Sequence, residues 1–450
     1  MKTKTILPSI LLTDNEKTTQ KALQQTRLME ENGADGVLVW DCRQSSHHQE
    51  EALISLLGDM TKGTDILLSV FQVFPRFEDI KKILYAGASR VIMNPLEGGR
   101  SETMKEGIAR FGQENVLGTF LNTPIQKQPQ PEAFKELVQI TGCSRWLMSR
   151  ETFARYKDVI GEEKLSVILC LEAGPLWDIS ENFKELSQLL AIPQVFGITW
   201  IQLSSDTENT QDPWDERNCS KPQDFTAFKR DLKSAGIPVR VFESTIPFSA
   251  FKKNSDGLVP VITQDYKTGK VLMLAYMNEE SYNETIRSGR MTYYSRSRQC
   301  LWKKGDTSGH YQFVRSLDID CDKDTILAKV KQIGAACHTG NESCFFTNLV
   351  KKDYDDVNPA TILQEIMDTV SDRKSHPKEG SYTNYLFEKG IDKILKKVGE
   401  EATEMVIAAK NPDPAELKYE ISDFLYHMIV LMAEKGLTWD EIFRELSKRH

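Results

Sequence analysis

No apolar run in the 450-residue chain approaches the roughly 20 residues of a membrane span. The first residues, Met1 to Asp14, are basic and then only briefly apolar, with no small-residue cleavage site, so they read as a first strand and not as a secretory leader. Cationic excess is missing too: 57 Lys and Arg stand against 65 Asp and Glu, a net charge of -8. That balance excludes a nucleic-acid footprint and leaves phosphate ligands to local basic pockets. Cysteine is sparse. Eight in a chain this long do not make a disulfide framework, which points to a reducing compartment, with the cytoplasm as the expected location. The length allows two to four domains, each with its own core.

What cysteine there is lies unevenly, half of it between Cys300 and Cys344. Cys321 sits between Asp320 and Asp322, with Asp324 close behind, and Cys337 and Cys344 follow on a glycine-containing segment with His338 alongside. Three thiolates and one open coordination position suit catalytic zinc. The aspartates are hard oxygen donors better matched to magnesium. On an extended segment alternate residues share a face, so the aspartates can point one way and Cys321 the other. The spacing alone serves equally well for small buried cysteines beside a solvated acidic turn.

The flanking sequence separates these readings. Met273 to Asn278 (MLAYMN), Tyr293 to Arg298 (YYSRSR), Leu301 to Gly309 (LWKKGDTSG), the DCDKD run, Cys337-His338 and Ser343-Cys344-Phe345 resemble the phosphoribosyl-AMP cyclohydrolases over residues 256–346. The resemblance implies a small α+β zinc domain over 256–350, in which zinc held by Cys321, Cys337 and Cys344 activates water for attack at C6 of the substrate's adenine ring. His338 is then the proton-transfer residue, its ordinary pKa near ~6.5 suiting both directions; a purely structural histidine is the alternative. Asp320, Asp322 and Asp324 would hold magnesium. Arg296, Arg298, Lys303, Lys304, Thr307 and Ser308 become candidate substrate contacts, Trp302 a purine-stacking surface and His310 a second proton-transfer candidate. The plainer alternatives are solvated cations and a core tryptophan.

Residues 1–244 alternate short apolar runs with amphipathic stretches. Ile6–Leu12, Gly36–Trp40, Ile66–Phe71, Arg90–Asn94, Val116–Leu121, Ser166–Leu171, Gly197–Leu203 and Val239–Glu243 make eight candidate strands, the count of a (β/α)8 barrel. The wording of Asn32 to Asp41, Phe77 to Ala88 and Arg90 to Asn94 resembles the histidine-biosynthetic barrels, the isomerase and the cyclase subunit of imidazole glycerol phosphate synthase. Departures from that family decide the expectation. Leu11 stands where the first strand should end in a catalytic aspartate. Phe71-Gln72-Val73-Phe74-Pro75 replaces a glycine-rich phosphate turn. The second aspartate is replaced within Gly118 to Asn122. Losing a positioned acid/base group typically costs ~10²–10⁴-fold, so the barrel is expected to be inactive, with a structural or regulatory role. Asp41, Glu172 and the His47-His48 pair are weaker candidates for another chemistry. Residues 245–257 are polar and turn-rich and read as a linker.

A second polar stretch, Asp355 to Asn358, precedes a helical region over 358–450. Amphipathic Ala360–Ser371 is followed by a long periodic stretch, Tyr385–Lys410, and Asn411 to Pro414 breaks it before a helix to about Lys435. Short breaks between such helices imply an antiparallel hairpin in an all-α bundle. Glu400, Glu401 and Glu404 on one helix and Glu420 and Asp423 on the next form a paired acidic pattern suited to magnesium. With Asp372-Arg373-Lys374, Gly380 to Thr383 and Ser422 to His427, it resembles the phosphoribosyl-ATP pyrophosphohydrolases. The resemblance implies magnesium-assisted cleavage of the α–β phosphoanhydride. Arg373, Lys374, Lys378, Ser381 and Tyr382 are then candidate substrate contacts, and Lys397 either meets the same phosphates or pairs with Glu401.

Taken together, these likenesses lead us to expect a multidomain enzyme of histidine biosynthesis: barrel, zinc domain and helical bundle, using Zn2+ and Mg2+ to convert phosphoribosyl-ATP to phosphoribosyl-AMP and then open the product's ring. Family likeness also implies a homo-oligomer, a dimer with shared active sites. Two other readings stand beside it: a general nucleotide pyrophosphohydrolase fused to another zinc hydrolase, and a scaffold whose enzymatic modules have decayed.

Overall fold

β-Branched and aliphatic residues crowd the short runs of the first half of the chain, and both faces of those runs are buried, as parallel strands covered by helices require. In the computed structural model, which describes residues 3–12, 18–43, 47–96, 100–173, 178–202, 223–350, 357–447 and 449, they form β1 (Thr5–Leu12), β2 (Gly36–Asp41), β3 (Leu67–Phe71) and β4 (Arg90–Met93). β5 (Val116–Thr119), β6 (Arg145–Ser149), β7 (Ser166–Ala173) and β8 (Val195–Gln202) complete a closed parallel barrel, in which β1 pairs with both β2 and β8. Alternate residues divide the core. Leu7, Leu38, Phe71, Ile92, Leu117, Leu147 and Ile168 fill the lumen, while Val37, Val39, Val70 and Val91 pack outward beneath the helices.

The count of eight strands holds, but its membership changes. Arg145–Ser149 is the sixth strand. Its Trp-Leu-Met centre carries no β-branched residue and runs straight into a helix at Arg150, so nothing local marks it as extended. Val239–Glu243 is not a barrel strand; it meets β1 only through an isolated bridge from Lys4 to Val239. The departures noted in the sequence lie at a crowded end of the barrel. Phe74 is fully buried, Trp40 and Phe71 rings lie 4.6 Å apart, and buried Phe120 packs 5.1 Å from Trp146. A helix opens at His47; the side chains of His47 and His48, and Leu203 and Asp355, lie outside the described residues.

The chain divides into two compact units, Met1–Phe346 and Thr347–His450. Within the first, the barrel is followed by a four-stranded sheet ordered β10-β9-β14-β13, from β9 (Val259–Asp265), β10 (Val271–Met277), β13 (Gln312–Ile319) and β14 (Ile326–Gln332). β11 (Thr292–Ser295) and β12 (Cys300–Lys303) form a separate hairpin. The Glu279–Ser288 helix is closed at its start by reciprocal Asn278 and Ser281 hydrogen bonds and ends at Gly289, whose φ of 67° suits glycine. The stretch expected as a linker is anchored: Phe248 and Phe251 are buried, their rings each 5.3 Å from Tyr282.

Ionic contacts join the barrel to this sheet. Arg315, turned out by a bulge in β13, lies 3.2 Å from Glu30 and 2.9 Å from Asp65, and Lys331 lies 2.9 Å from Glu30 and 3.6 Å from Asp65. Tyr266 donates its hydroxyl proton to Asp65. Asp65 lies just ahead of β3, at the amino-terminal end of the barrel.

The second unit is helical, with helices Ile362–Ser375, Tyr382–Lys389, Ile391–Ala408, Pro414–Lys435 and Trp439–Ser447 among its described residues. The long periodic stretch expected over 385–410 is two helices, because Gly390, at φ 78°, breaks it. Pro414 occupies the first turn of its helix, with Asp413 accepting from Ala415 N–H at 3.0 Å. Met367, Val370, Leu386, Ile394, Ile429 and Val430 form the core.

Candidate active sites

In the helical unit, residues 401 and 404 share a face one turn apart, and the antiparallel helix brings residue 420 against them. Ligand oxygens of Glu401, Glu404 and Glu420 all lie within 4.8 Å of one another. Burial, and then the charges of Glu404 and Glu401, push the Glu420 carboxyl above its ordinary range, with Asp423 adding to the effect. A convergent set of hard, mutually repelling oxygens fits a divalent cation such as magnesium. Glu401 is buried, with Lys397 Nζ at 3.4 Å and His427 Nδ1 at 3.6 Å. His427 is fixed at both nitrogens: Nδ1 lies 2.9 Å from the Asp423 carbonyl and Nε2 lies 3.1 Å from the Tyr382 hydroxyl.

Glu400 is not in this group. It points a helical step away, paired with Lys397 at 3.0 Å and Lys396 at 3.3 Å, whose hydrogen bonds hold its carboxyl below the usual range. Lys397 therefore serves both neighbouring glutamates, and these bonds push its own pKa to about 12. Among the expected phosphate contacts, Lys374 donates to the carbonyls of Ala433 and Glu434 at a helix carboxyl end, Arg373 pairs with Asp372 at 3.0 Å, and Ser381 caps the helix that begins at Tyr382.

In the sheet domain, Cys337 and Cys344 lie within hydrogen-bonding reach of each other. Cys337 is buried and its sulfur lies 3.0 Å from the Thr339 hydroxyl. Side-chain and backbone hydrogen bonds from Thr339 lower the Cys337 thiol's pKa, with smaller help from Cys344 and Lys304, while burial and Cys337 raise that of Cys344. Lys304 is 6% exposed, and burial lowers its pKa while the two thiols act the other way. Lys304, a candidate phosphate contact by its sequence, lies beside the cysteines through the tertiary fold, which no local motif displays. His338 is exposed, and His310 Nδ1 lies 3.0 Å from the Ala335 carbonyl.

Cys321 does not join the pair. It sits in the exposed Asp320–Thr325 turn linking β13 to β14, whereas Cys337 follows β14; the seven residues of that strand span about 20 Å. The three thiols expected to hold one ion thus fail to gather within a single chain, and among the described residues the only groups of three close metal-ligating side chains are the glutamates above and Asp320, Asp322 and Asp324. The aspartates do converge, exposed, around a turn in which Asp320 accepts from Asp324 and Thr325 N–H groups at 2.9 and 3.2 Å. These bonds outweigh desolvation and leave the Asp320 carboxyl below its ordinary range.

Among the other expected substrate contacts, Arg296 stacks 4.0 Å over the Tyr276 ring, Arg298 is exposed beside Ser295, and Lys303 lies 4.0 Å from Glu284. Half-buried Trp302 packs 5.5 Å from Tyr293 against the core. Thr307 and Ser308 are exposed.

Two family models match the chain: phosphoribosyl-AMP cyclohydrolase over residues 273–346 and phosphoribosyl-ATP pyrophosphohydrolase over residues 363–450. Curated relatives carry both together under the name histidine biosynthesis bifunctional protein HisIE. That of Thermoanaerobacter pseudethanolicus is 54% identical over 207 residues, covering 43% of this chain and 96% of the relative. The Caldanaerobacter subterraneus protein is 51% identical over 205 residues, 46% of this chain and 98% of its own length, and that of Bacillus subtilis 49% over 197 residues, 44% and 93%.

Proposed function

The chain belongs to the bifunctional histidine-biosynthesis proteins, which join phosphoribosyl-AMP cyclohydrolase to phosphoribosyl-ATP pyrophosphohydrolase, and from that premise we propose how its residues divide the work. It hydrolyses phosphoribosyl-ATP to phosphoribosyl-AMP and pyrophosphate, and opens the adenine ring of phosphoribosyl-AMP.

The convergence of Glu401, Glu404 and Glu420 carries the first assignment. With Asp423 they would hold magnesium, which supplies positive charge to the phosphoanhydride and to the attacking water. Lys397 balances Glu400 and Glu401, and His427, held by the Asp423 carbonyl and Tyr382, keeps Glu401 oriented toward the other carboxylates. Arg373, Lys374, Lys378, Ser381 and Tyr382 remain the proposed substrate contacts, with Lys374 also tying two helices together.

For ring opening, Cys337 and Cys344 would hold zinc together with Cys321 from a second copy of the chain, since Cys321 of the same chain lies beyond the far end of β14. Zinc held there would supply the Lewis acidity that lowers the pKa of water toward ~7. Thr339 and Lys304 favour the thiolate of Cys337, and exposed His338 would take a proton from water and return it to the ring nitrogen. Asp320, Asp322 and Asp324 would hold magnesium, which would supply positive charge to the substrate's oxygens, with Arg296, Arg298, Lys303, Thr307, Ser308 and His310 as proposed contacts. Shared thiolates make the enzyme a dimer at least. Apolar side chains left exposed on the helical unit, Val406 at 65% and Ile407 at 61%, are a second contact between copies. The barrel, tied to the sheet by Glu30 and Asp65, has a structural role. The enzyme works in the cytoplasm, and among the described residues no helix is long and apolar enough to cross a membrane.

The test supplies phosphoribosyl-ATP with both metals and follows pyrophosphate release and ring opening separately. Cys337→Ala should stall at phosphoribosyl-AMP, and Glu404→Ala should release little pyrophosphate yet open supplied phosphoribosyl-AMP. Loss of both reactions in either folded variant overturns the division.

A further inference from the structure

We propose that the amino-terminal mouth of the barrel binds a small phosphate-bearing anion between Arg90, Arg145 and Arg240. Arg90 opens β4 and Arg145 opens β6, each two residues before a lumen residue, Ile92 and Leu147. Strand alternation therefore directs both side chains toward the barrel axis at its amino-terminal end. Arg240 follows Val239, which the isolated bridge holds against Lys4, just ahead of β1. Arg90 is half-buried; burial first, and then the positive charges of Arg145 and Arg240, hold its guanidinium below its ordinary range.

No ion pair or hydrogen bond of these three guanidinium groups is found among the described residues; Arg145 only rests over the Phe196 ring at 5.6 Å. The contrast with Arg43, Arg76, Arg287 and Arg315, each paired with a carboxylate, is plain. Lys4 nearby is buried and donates to the carbonyls of Ile192 and Val195, again without a carboxylate.

An independent observation points into the same place. Ser69 is in register with Arg90 across β3 and β4 and shares the lumen face of Phe71. It is 1% exposed, yet its hydroxyl oxygen has no hydrogen-bond partner. Buried polar atoms are rarely left so, and like charges gathered without a counter-ion are unfavourable. An anion would satisfy both. Guanidinium forks match phosphate oxygens; Arg240 also borders a neighbouring cleft of about 880 Å3 whose wall carries Glu30, Glu31, Asp35 and Asp65 beside Arg27, Lys62 and Lys229 and does not include Arg90, Arg145 or Ser69. The site lies at the opposite end of the barrel from the strand carboxyl ends, where barrel enzymes work, and shares no residue with either catalytic centre.

The test is calorimetric titration of the full-length protein with inorganic phosphate, pyrophosphate and ribose 5-phosphate in turn, with EDTA present. Wild type should bind at least one of them. R240Q should weaken binding about tenfold, R90Q/R145Q should abolish it, and E404Q should leave it intact. Because Arg240 is exposed, R240Q decides the matter if the double variant fails to fold. Absence of binding by all three anions, equal affinity in R240Q, or loss in E404Q overturns the site and places any binding at the hydrolase centre.

Discussion

If the zinc thiolates come from two copies, variants that are each inactive should rescue one another. Cys321→Ala and Cys337→Ala remove residues lying beyond opposite ends of the seven-residue strand β14. Each homodimer then lacks a ligand at both sites. In a heterodimer, one site collects both substitutions and the other collects none. Random reassociation makes half the dimers mixed, and half the sites in those are intact, so ring opening should recover to about one quarter of the wild-type rate. The assay is opening of supplied phosphoribosyl-AMP after the two proteins are co-expressed with different tags, alongside zinc content, which should recover in the same proportion. Pyrophosphate release should be normal throughout, since Glu401, Glu404 and Glu420 lie in the other unit. Tagged heterodimers that form without regaining activity, or a fully active monomer in light scattering, would refute the shared site.

Glu420→Gln should lower pyrophosphate release by about 10²-fold or more, and should raise the melting temperature of the metal-free protein, because it removes one of the repelling charges; Glu400→Gln, outside the converging group, should cost less than about tenfold. Gly334→Ala would place a Cβ 2.6 Å from the His310 ring at a φ of 61°, costing about 1–2 kcal/mol in denaturant unfolding and reducing ring opening more than pyrophosphate release. Asp65, whose carboxyl is held below its ordinary range against its burial by Tyr266, Lys331, Lys267 and Arg315, contributes stability that is fully present above the unfolded carboxylate pKa of ~3.9 and disappears as pH falls through the lower folded value. Asp65→Asn should therefore destabilise the first unit by about 2 kcal/mol at neutral pH and by progressively less in acid; a constant difference down to pH 2 would contradict the ionic account.

The barrel was legible because its strands are dense in β-branched residues, and it was misread at two places: Arg145–Ser149 lacks that density and is extended only because neighbours on both sides bond to it, while Val239–Glu243 has apolar residues but meets the barrel only at one isolated bridge. Gly390 shows the complementary lapse, since apolar periodicity continues across a break set by one backbone angle. Local spacing sufficed for Glu401, Glu404 and Glu420, as residues one turn apart on a helix must share a face and one short break fixes the partner helix, but it also grouped Glu400, which turns to Lys396 and Lys397. It likewise sufficed for Asp320, Asp322 and Asp324, which a single tight turn brings together.

Sequence by itself pointed to the two chemistries through its resemblance to two families, because the motifs that carry the likeness are local runs of residues, whereas spacing alone left the cysteines and aspartates open to a structural reading. Tertiary structure decided which groups meet across long separations: that Cys321 stands apart from Cys337 and Cys344, that Lys304 lies beside those thiols, that Glu400 turns away, and that the charges of Arg145 and Arg240 reach Arg90 at the foot of the barrel. Strand order and helix rotation set those distances, and neither is written in local spacing.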